Sequence, residues 1–331
     1  VTSSELGFVL LRVLHGDASA DLDELDWAAL RGVAARGGVM TRLADAVSRR
    51  GETVPPRLRE AAADNCRKAE RVLELVARLS ARCGELGVAH AFVNTLEHYP
   101  DIKRHITLLT ASPDMDDQLL QHLPAAPRPR RLGRWLAGAR TYAVAHGVTL
   151  EIRHGRLGRM GEHARYARIL VARARDVVAG VTTARAPTSE DHLLLIAAHQ
   201  SYRRPAMRLD DVCWAITALG DPALNWDYVF AMALSMGMLA TVGSYLAYVD
   251  GIATELFGRP LMAAELSARF QPAGTRLPWA ADGIRYPAAR AAARLYLQNV
   301  GATLESGRWH SAARLSLLPV VAALAAGARR S

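Results

Sequence analysis

The chemistry-bearing side chains of this sequence crowd into two short stretches. The first runs from Asn94 to Leu109 and holds His98, Asp101, Lys103, Arg104, His105 and Thr107; the second is Glu151-Ile152-Arg153-His154. Histidine transfers protons near neutral pH, and a carboxylate partner such as Glu151 can orient it. Lys103, Arg104 and Arg153 suit an anionic group, and His199 lies farther along the chain in a helical pattern. On an extended strand residues two apart point the same way, so His105 and Thr107 share a face.

Two strand signals carry these groups. Val88–Val93 is short and β-branched after Gly84 and Gly87, and Ile106–Leu109 follows at hairpin distance past Tyr99-Pro100-Asp101. Val148–Arg153 alternates apolar residues with Thr149, Glu151 and Arg153, the pattern of a half-buried strand with Glu151 on its polar face.

Around them the pattern is helical. Leu6–Leu14, Trp27–Arg36, Met40–Arg50 and Arg57–Leu86 precede the strands, and Cys66, Ala69, Leu73, Val76 and Leu79 recur at helical spacing in the last of these. Asp114–Leu123, capped by Ser112 or Asp114, and Leu132–His146 are expected as helices between the strands. From Ser189 onward helices are expected around Leu193–Ala198, Leu209–Leu219, Tyr228–Met236, Val242–Phe257, Leu261–Arg269 and Ala288–Val300. The expected fold class is α+β: a small mixed sheet flanked by N-terminal helices (1–86), an α/β core (87–186) and a helical C-terminal region (187–331).

The chain has 331 residues, half of them hydrophobic and 22% charged, the balance of a globular protein and not of a disordered one. Its net charge of +9 comes almost wholly from scattered arginines, with Lys68 and Lys103 the only lysines. That scatter argues against a nucleic-acid partner and leaves a small-molecule ligand as the partner to look for. Cys66, Cys83 and Cys213 are odd in number, with no Cys-x-x-Cys spacing, which fits a reducing, cytoplasmic setting. Gly7–Leu14 and Leu315–Ala326 fall short of the ~20 residues that span a bilayer, so no membrane association is expected; oligomeric state is open.

From Phe92 through Leu109, across Leu150–His154, and on through Ser189–Leu194, His199, Arg208–Trp214 and Asn225–Asp227, the sequence resembles the bacterial minimal nucleotidyltransferase family. The resemblance covers roughly residues 85–260. In that family a first strand ends near a Lys or Gly, a Tyr-Pro-Asp turn follows, and the next strand presents Asp-x-Asp. A third carboxylate from a neighbouring strand completes an oxygen cage for two divalent cations that neutralise a triphosphate.

Here the Asp-x-Asp positions hold His105 and Thr107, and only Glu151 of the implied triad remains. Threonine brings no negative charge and imidazole is a poor Mg²⁺ ligand, so one carboxylate beside Lys103 and Arg104 is not expected to hold metal. No metal and no cofactor are therefore expected. The resemblance implies that His98, Asp101, His105 and Glu151 are catalytic candidates around one pocket. Asn94, Lys103, Arg104, Thr107, Arg153, His154 and His199 become ligand-binding candidates.

The expected function is then metal-independent acid–base catalysis on, or binding of, a small organic molecule, in a specialised biosynthetic setting that the repurposing itself suggests. Two alternatives stay open: a non-catalytic module binding a nucleotide or a partner protein, and an active nucleotidyltransferase with an atypical metal site. Individual residues have plainer roles available, with Asp101 as a turn residue, Glu151 as a structural partner of Arg or His, and His154 paired to a surface carboxylate.

Overall fold

The computed structural model describes residues 3–16, 26–111, 115–128, 138–158, 160–203, 208–270, 289–317 and 319. Four helices open the chain: α1 (Ser3–Leu14), α2 (Trp27–Gly37), α3 (Met40–Arg49) and α4 (Pro56–Glu85). Asp26 starts α2, its Oδ1 accepting the backbone N–H groups of Ala28 and Ala29 at 3.0 Å each. The 30-residue α4 begins on Pro56, where a missing N–H costs nothing, and buries Val72, Leu73, Val76, Leu79 and Cys83 along one stripe.

A five-stranded mixed sheet follows, with strands β1 (His90–Val93), β2 (His105–Thr110), β3 (Ala126–Pro127), β4 (Ala139–Ala143) and β5 (Thr149–His154) in the order β1-β2-β5-β4-β3. Only β2 and β5 run parallel among these pairs. A short 3₁₀ turn, Leu96–His98, leaves β1, and α5 (Asp116–Leu120) follows β2. Beyond β5 come α6 (Ala164–Arg173) and a hairpin of β6 (Arg175–Ala179) and β7 (Thr182–Ala186). Its turn is Gly180-Val181, with Gly180 at φ +58°, the left-handed conformation that a two-residue hairpin turn demands of its first residue.

The C-terminal helices are α7 (Ser189–Arg203), α8 (Leu209–Leu219), α9 (Trp226–Ser235), α10 (Leu239–Phe257), α11 (Ala264–Arg269), α12 (Ala289–Glu305) and α13 (Trp309–Ser316). Among the described residues no helix is long and apolar enough to cross a membrane. The fold class is α+β, as the sequence pattern indicates.

The sheet separates two apolar clusters. Phe92, Ile106, Leu108, Tyr142, Leu150 and Ile152 pack with the α4 stripe and with Ala184 and Ala186 of the hairpin. Ala91, Val93 and Leu109, from the other face, join a larger cluster that takes in α1–α3, α6 and the C-terminal helices. Each fully buried Leu or Ile in these layers contributes roughly 1.5–3 kcal/mol, so both faces of β2 are fixed by packing. Residues of the N-terminal and C-terminal helical regions thus share one core, and the β1–β2 edge is clamped between them.

Two expectations are corrected here. Leu132–His146 is not one helix: within its described part, 138–146, Ala139–Ala143 is strand β4, in register with β5, while residues 132–137 lie outside the described residues. The apolar run of a buried strand and that of a helix look alike over so short a span, and the β-sheet slot beside β5 decided the outcome. Ser112 and Asp114, expected as caps, fall outside the described residues, and α5 begins at Asp116 after Met115.

Candidate functional site

The register of the sheet builds the site. Val93 pairs with Thr107, Thr107 with Glu151, and Glu151 with Thr141, so these four side chains form one row on one face. His105, two residues before Thr107, lies on that same face at the start of β2, next to Thr149. The His105 side chain is 38% exposed, whereas that of Glu151 is 2% exposed. Imidazole Nε2 stands 3.8 Å from Glu151 Oε2, while Arg153 Nε donates to Oε1 of the same carboxylate at 2.6 Å. An accessible imidazole over a buried, tethered carboxylate can exchange a proton with a bound molecule and be oriented by its partner.

Thr107 is buried, and its N–H donates to Thr95 Oγ1 at 3.4 Å. Asn94, at the end of β1, adopts φ +53°, a left-handed conformation that asparagine tolerates better than most residues. Asn94 Nδ2 lies 3.3 Å from His199 Nδ1, so α7 meets the sheet edge here. Arg104 is exposed, and its carbonyl accepts the Thr149 N–H at 2.9 Å, tying the start of β2 to β5.

Four expected site residues lie elsewhere. Asp101 caps α3: its Oδ1 accepts the Thr41 N–H at 2.7 Å and Asn65 Nδ2 at 2.8 Å, and its Oδ2 accepts the Arg42 N–H at 3.2 Å. A carboxylate so fully claimed by a helix N-terminus is a structural clamp. His154 follows Arg153 by one residue, so the pleat turns it to the opposite face. There its Nε2 stands 3.0 Å from Asp116 Oδ1 and its Nδ1 3.3 Å from Thr110 Oγ1, with the Tyr142 hydroxyl donating to Asp116 Oδ2 at 2.6 Å.

His98 belongs to a buried network between the 3₁₀ turn and helices α7 and α8. Its Nε2 is 3.2 Å from Asp211 Oδ1 and its Nδ1 3.7 Å from Asp210 Oδ2. Asp210 is wholly buried and accepts Lys103 Nζ at 3.0 Å, Arg208 Nε and Nη2 at 2.9 and 3.0 Å, and the Asp211 N–H at 2.9 Å. Lys103 is therefore a partner of α8 and not of the His105 face. Donor atoms of His98, Asp210 and Asp211 lie within 4.8 Å of one another, a spacing a metal ion could use. Lys103 and Arg208 already supply positive charge at that point, and a dication would have to enter against both.

The same network holds Glu97 and His192, which the sequence pattern had not singled out. Glu97 Oε2 accepts the Thr95 N–H at 2.8 Å, and its Oε1 is 3.4 Å from His192 Nδ1. The His192 ring stacks edge-on to Trp214, with centroids 4.2 Å apart. Burial pushes the Glu97 carboxyl up; burial, and then the nearby His98 and Lys103, hold the His192 imidazole well below its ordinary value. Although burial opposes it, the His98 hydrogen bond and the charge of Lys103 keep Asp211 below the usual carboxylate range.

A pH prediction follows from the opposed signs of Glu97 and His192. Below the ordinary histidine value of 6.5 the unfolded chain takes up a proton that folded His192 refuses, so stability falls with falling pH. Between the ordinary glutamate value of 4.5 and its raised folded value, folded Glu97 keeps a proton the unfolded chain has released, so stability rises with falling pH. The two effects offset each other in the native pair. Glu97→Gln removes the second, and its thermal midpoint should drop more steeply than that of the native chain as pH falls from 6.5 toward 4.5. Parallel pH profiles for the two proteins would refute this account.

No family model matches the chain, and no curated protein matches it.

Proposed function

We propose that the His105–Thr107–Glu151 face binds a small organic molecule and works without metal, on a nucleotidyltransferase-like scaffold whose carboxylate pair has been replaced. The observation that carries this reading is the half-exposed His105 imidazole 3.8 Å from a buried Glu151 carboxylate whose other oxygen is held by Arg153. His105 exchanges the proton with the ligand, and Glu151 orients the imidazole and balances its charge when protonated. Thr107 and Thr141 flank Glu151 in the sheet, neither adding the negative charge that two divalent cations require.

Titration calorimetry with ATP and CTP, each with and without Mg²⁺ or Mn²⁺, tests the metal-free part. The expected result is no metal-dependent affinity for either nucleotide. Cation-dependent binding that Glu151→Gln abolishes would overturn the reading in favour of ordinary nucleotidyl transfer.

A further inference from the structure

Arg153 is placed to do something other than bind a ligand. Its Nε donates to Glu151 Oε1 at 2.6 Å, and its Nη1 donates to the Gly158 carbonyl at 3.0 Å, so one guanidinium bridges the site carboxylate and the loop after β5. That loop closes on itself: the His163 N–H reaches the Leu157 carbonyl at 3.1 Å, and Glu162 Oε2 accepts the Met160 N–H at 2.8 Å. Gly158 sits at φ +91° against the Glu162 carboxylate, and a Cβ there would lie 2.3 Å from Glu162 Cδ. No residue with a side chain fits without moving Glu162. Helix α13 straps the far side, with Ser311 Oγ donating to the Glu162 carbonyl at 2.9 Å and Arg314 Nη1 to the Met160 carbonyl at 3.0 Å.

We propose that Arg153 is a positioning residue that fixes the rotation of the Glu151 carboxylate, turning Oε2 toward His105, and that α13 sets this geometry through the 157–163 loop. The planar guanidinium is suited to the task because its donors diverge at fixed angles, which an ammonium cannot reproduce. With Oε1 and the Gly158 carbonyl both engaged, the position of Oε1 is tied to the loop through a covalently rigid fork. A shift of α13 moves the Met160 and Glu162 carbonyls, hence Gly158, hence Arg153. The inference rests on the reading of His105 and Glu151 as the working pair, yet its test needs no ligand.

The test is the ¹⁵N spectrum of the His105 imidazole in the full chain at one fixed pH, assigned by the signal lost in His105→Gln. Glu151→Gln gives the reference position for an imidazole without its carboxylate, and thermal unfolding of each variant confirms that it is folded. Arg153→Ala and Arg153→Lys are both expected to move the Nε2 resonance toward that reference. Arg314→Ala is expected to move it the same way and to add nothing on top of Arg153→Ala.

If Arg153→Lys keeps the native position, charge alone matters and the positioning role is overturned. An unmoved signal in Arg153→Ala has the same meaning, and where that variant fails to fold Arg153→Lys carries the test. A native spectrum for Arg314→Ala overturns the role of α13. Nucleotide titrations that contradict the metal-free reading would leave these spectra unaffected, so the two failures are distinguishable.

Discussion

Asp210→Ala is expected to destabilise the fold by about 3 kcal/mol, roughly a hundredfold in the folding equilibrium, the usual scale for removing one partner of a buried ion pair. Asp210 is wholly buried and answers Lys103, both Arg208 nitrogens and the Asp211 N–H. Without it Lys103 and Arg208 lose the carboxylate they share at the seam between the strand core and α8, and Asp211 alone is left to balance both. The Lys103 and Arg208 side chains keep 27% and 32% exposure and can turn partly to water, which places the cost at the lower end of the range for such losses. Asp64→Ala, which removes the exposed pair with Arg67, should change stability by under ~1 kcal/mol. Urea denaturation of the two variants beside the native chain makes the comparison. Equal small losses would show that Asp210 is solvated in the folded protein.

His105→Ala and Glu151→Gln should each lower turnover of the native substrate by ~10²-fold or more, the scale for losing a positioned general acid or base or its partner. Thermal unfolding of both variants separates chemistry from folding, since Glu151 is buried and tied to Arg153. His98→Ala and His154→Ala provide the contrast. His98 lies in the Asp210–Asp211 network and His154 on the opposite sheet face with Asp116, so their replacement should cost stability and leave chemistry per folded molecule unchanged. A folded His105→Ala variant with full turnover would remove the face from the reaction and favour a binding module.

Much of this arrangement is legible in the sequence because it is periodic. The α4 stripe, the alternation around Glu151 and the β-branched runs ending at Val93 and Leu109 each announce their element, and alternation alone puts His105 and Thr107 on one face. What one sequence does not announce is pairing between distant segments. Asp101 reads as a turn residue, yet its partners Thr41 and Arg42 lie some sixty positions earlier. Asp210 and Asp211 read as the acidic first turn of a helix, and only the fold brings His98 and Lys103 to them. The β6–β7 hairpin did leave a signal, a Gly-Val turn between two short runs, but its arginines and alanines mask the alternation. The resemblance puts His154 beside Glu151, but a strand sends odd and even positions to opposite faces, and His154 lies three residues from Glu151.

The parallel pairing of β2 with β5 also bears on how the chain reaches its folded state. Antiparallel neighbours joined by a tight turn can zip from that turn outward, but a parallel pair has no such starting point. Thr107 meets Glu151 only after the long segment between them, including β4, has been brought round, and the entropy of closing that loop must be met before any contact across the pair is gained. The His105–Glu151 face is thus assembled by the most non-local register in the sheet. Its residues also depend on α4 and the hairpin, whose apolar side chains pack against the β2 and β5 residues of the opposite face.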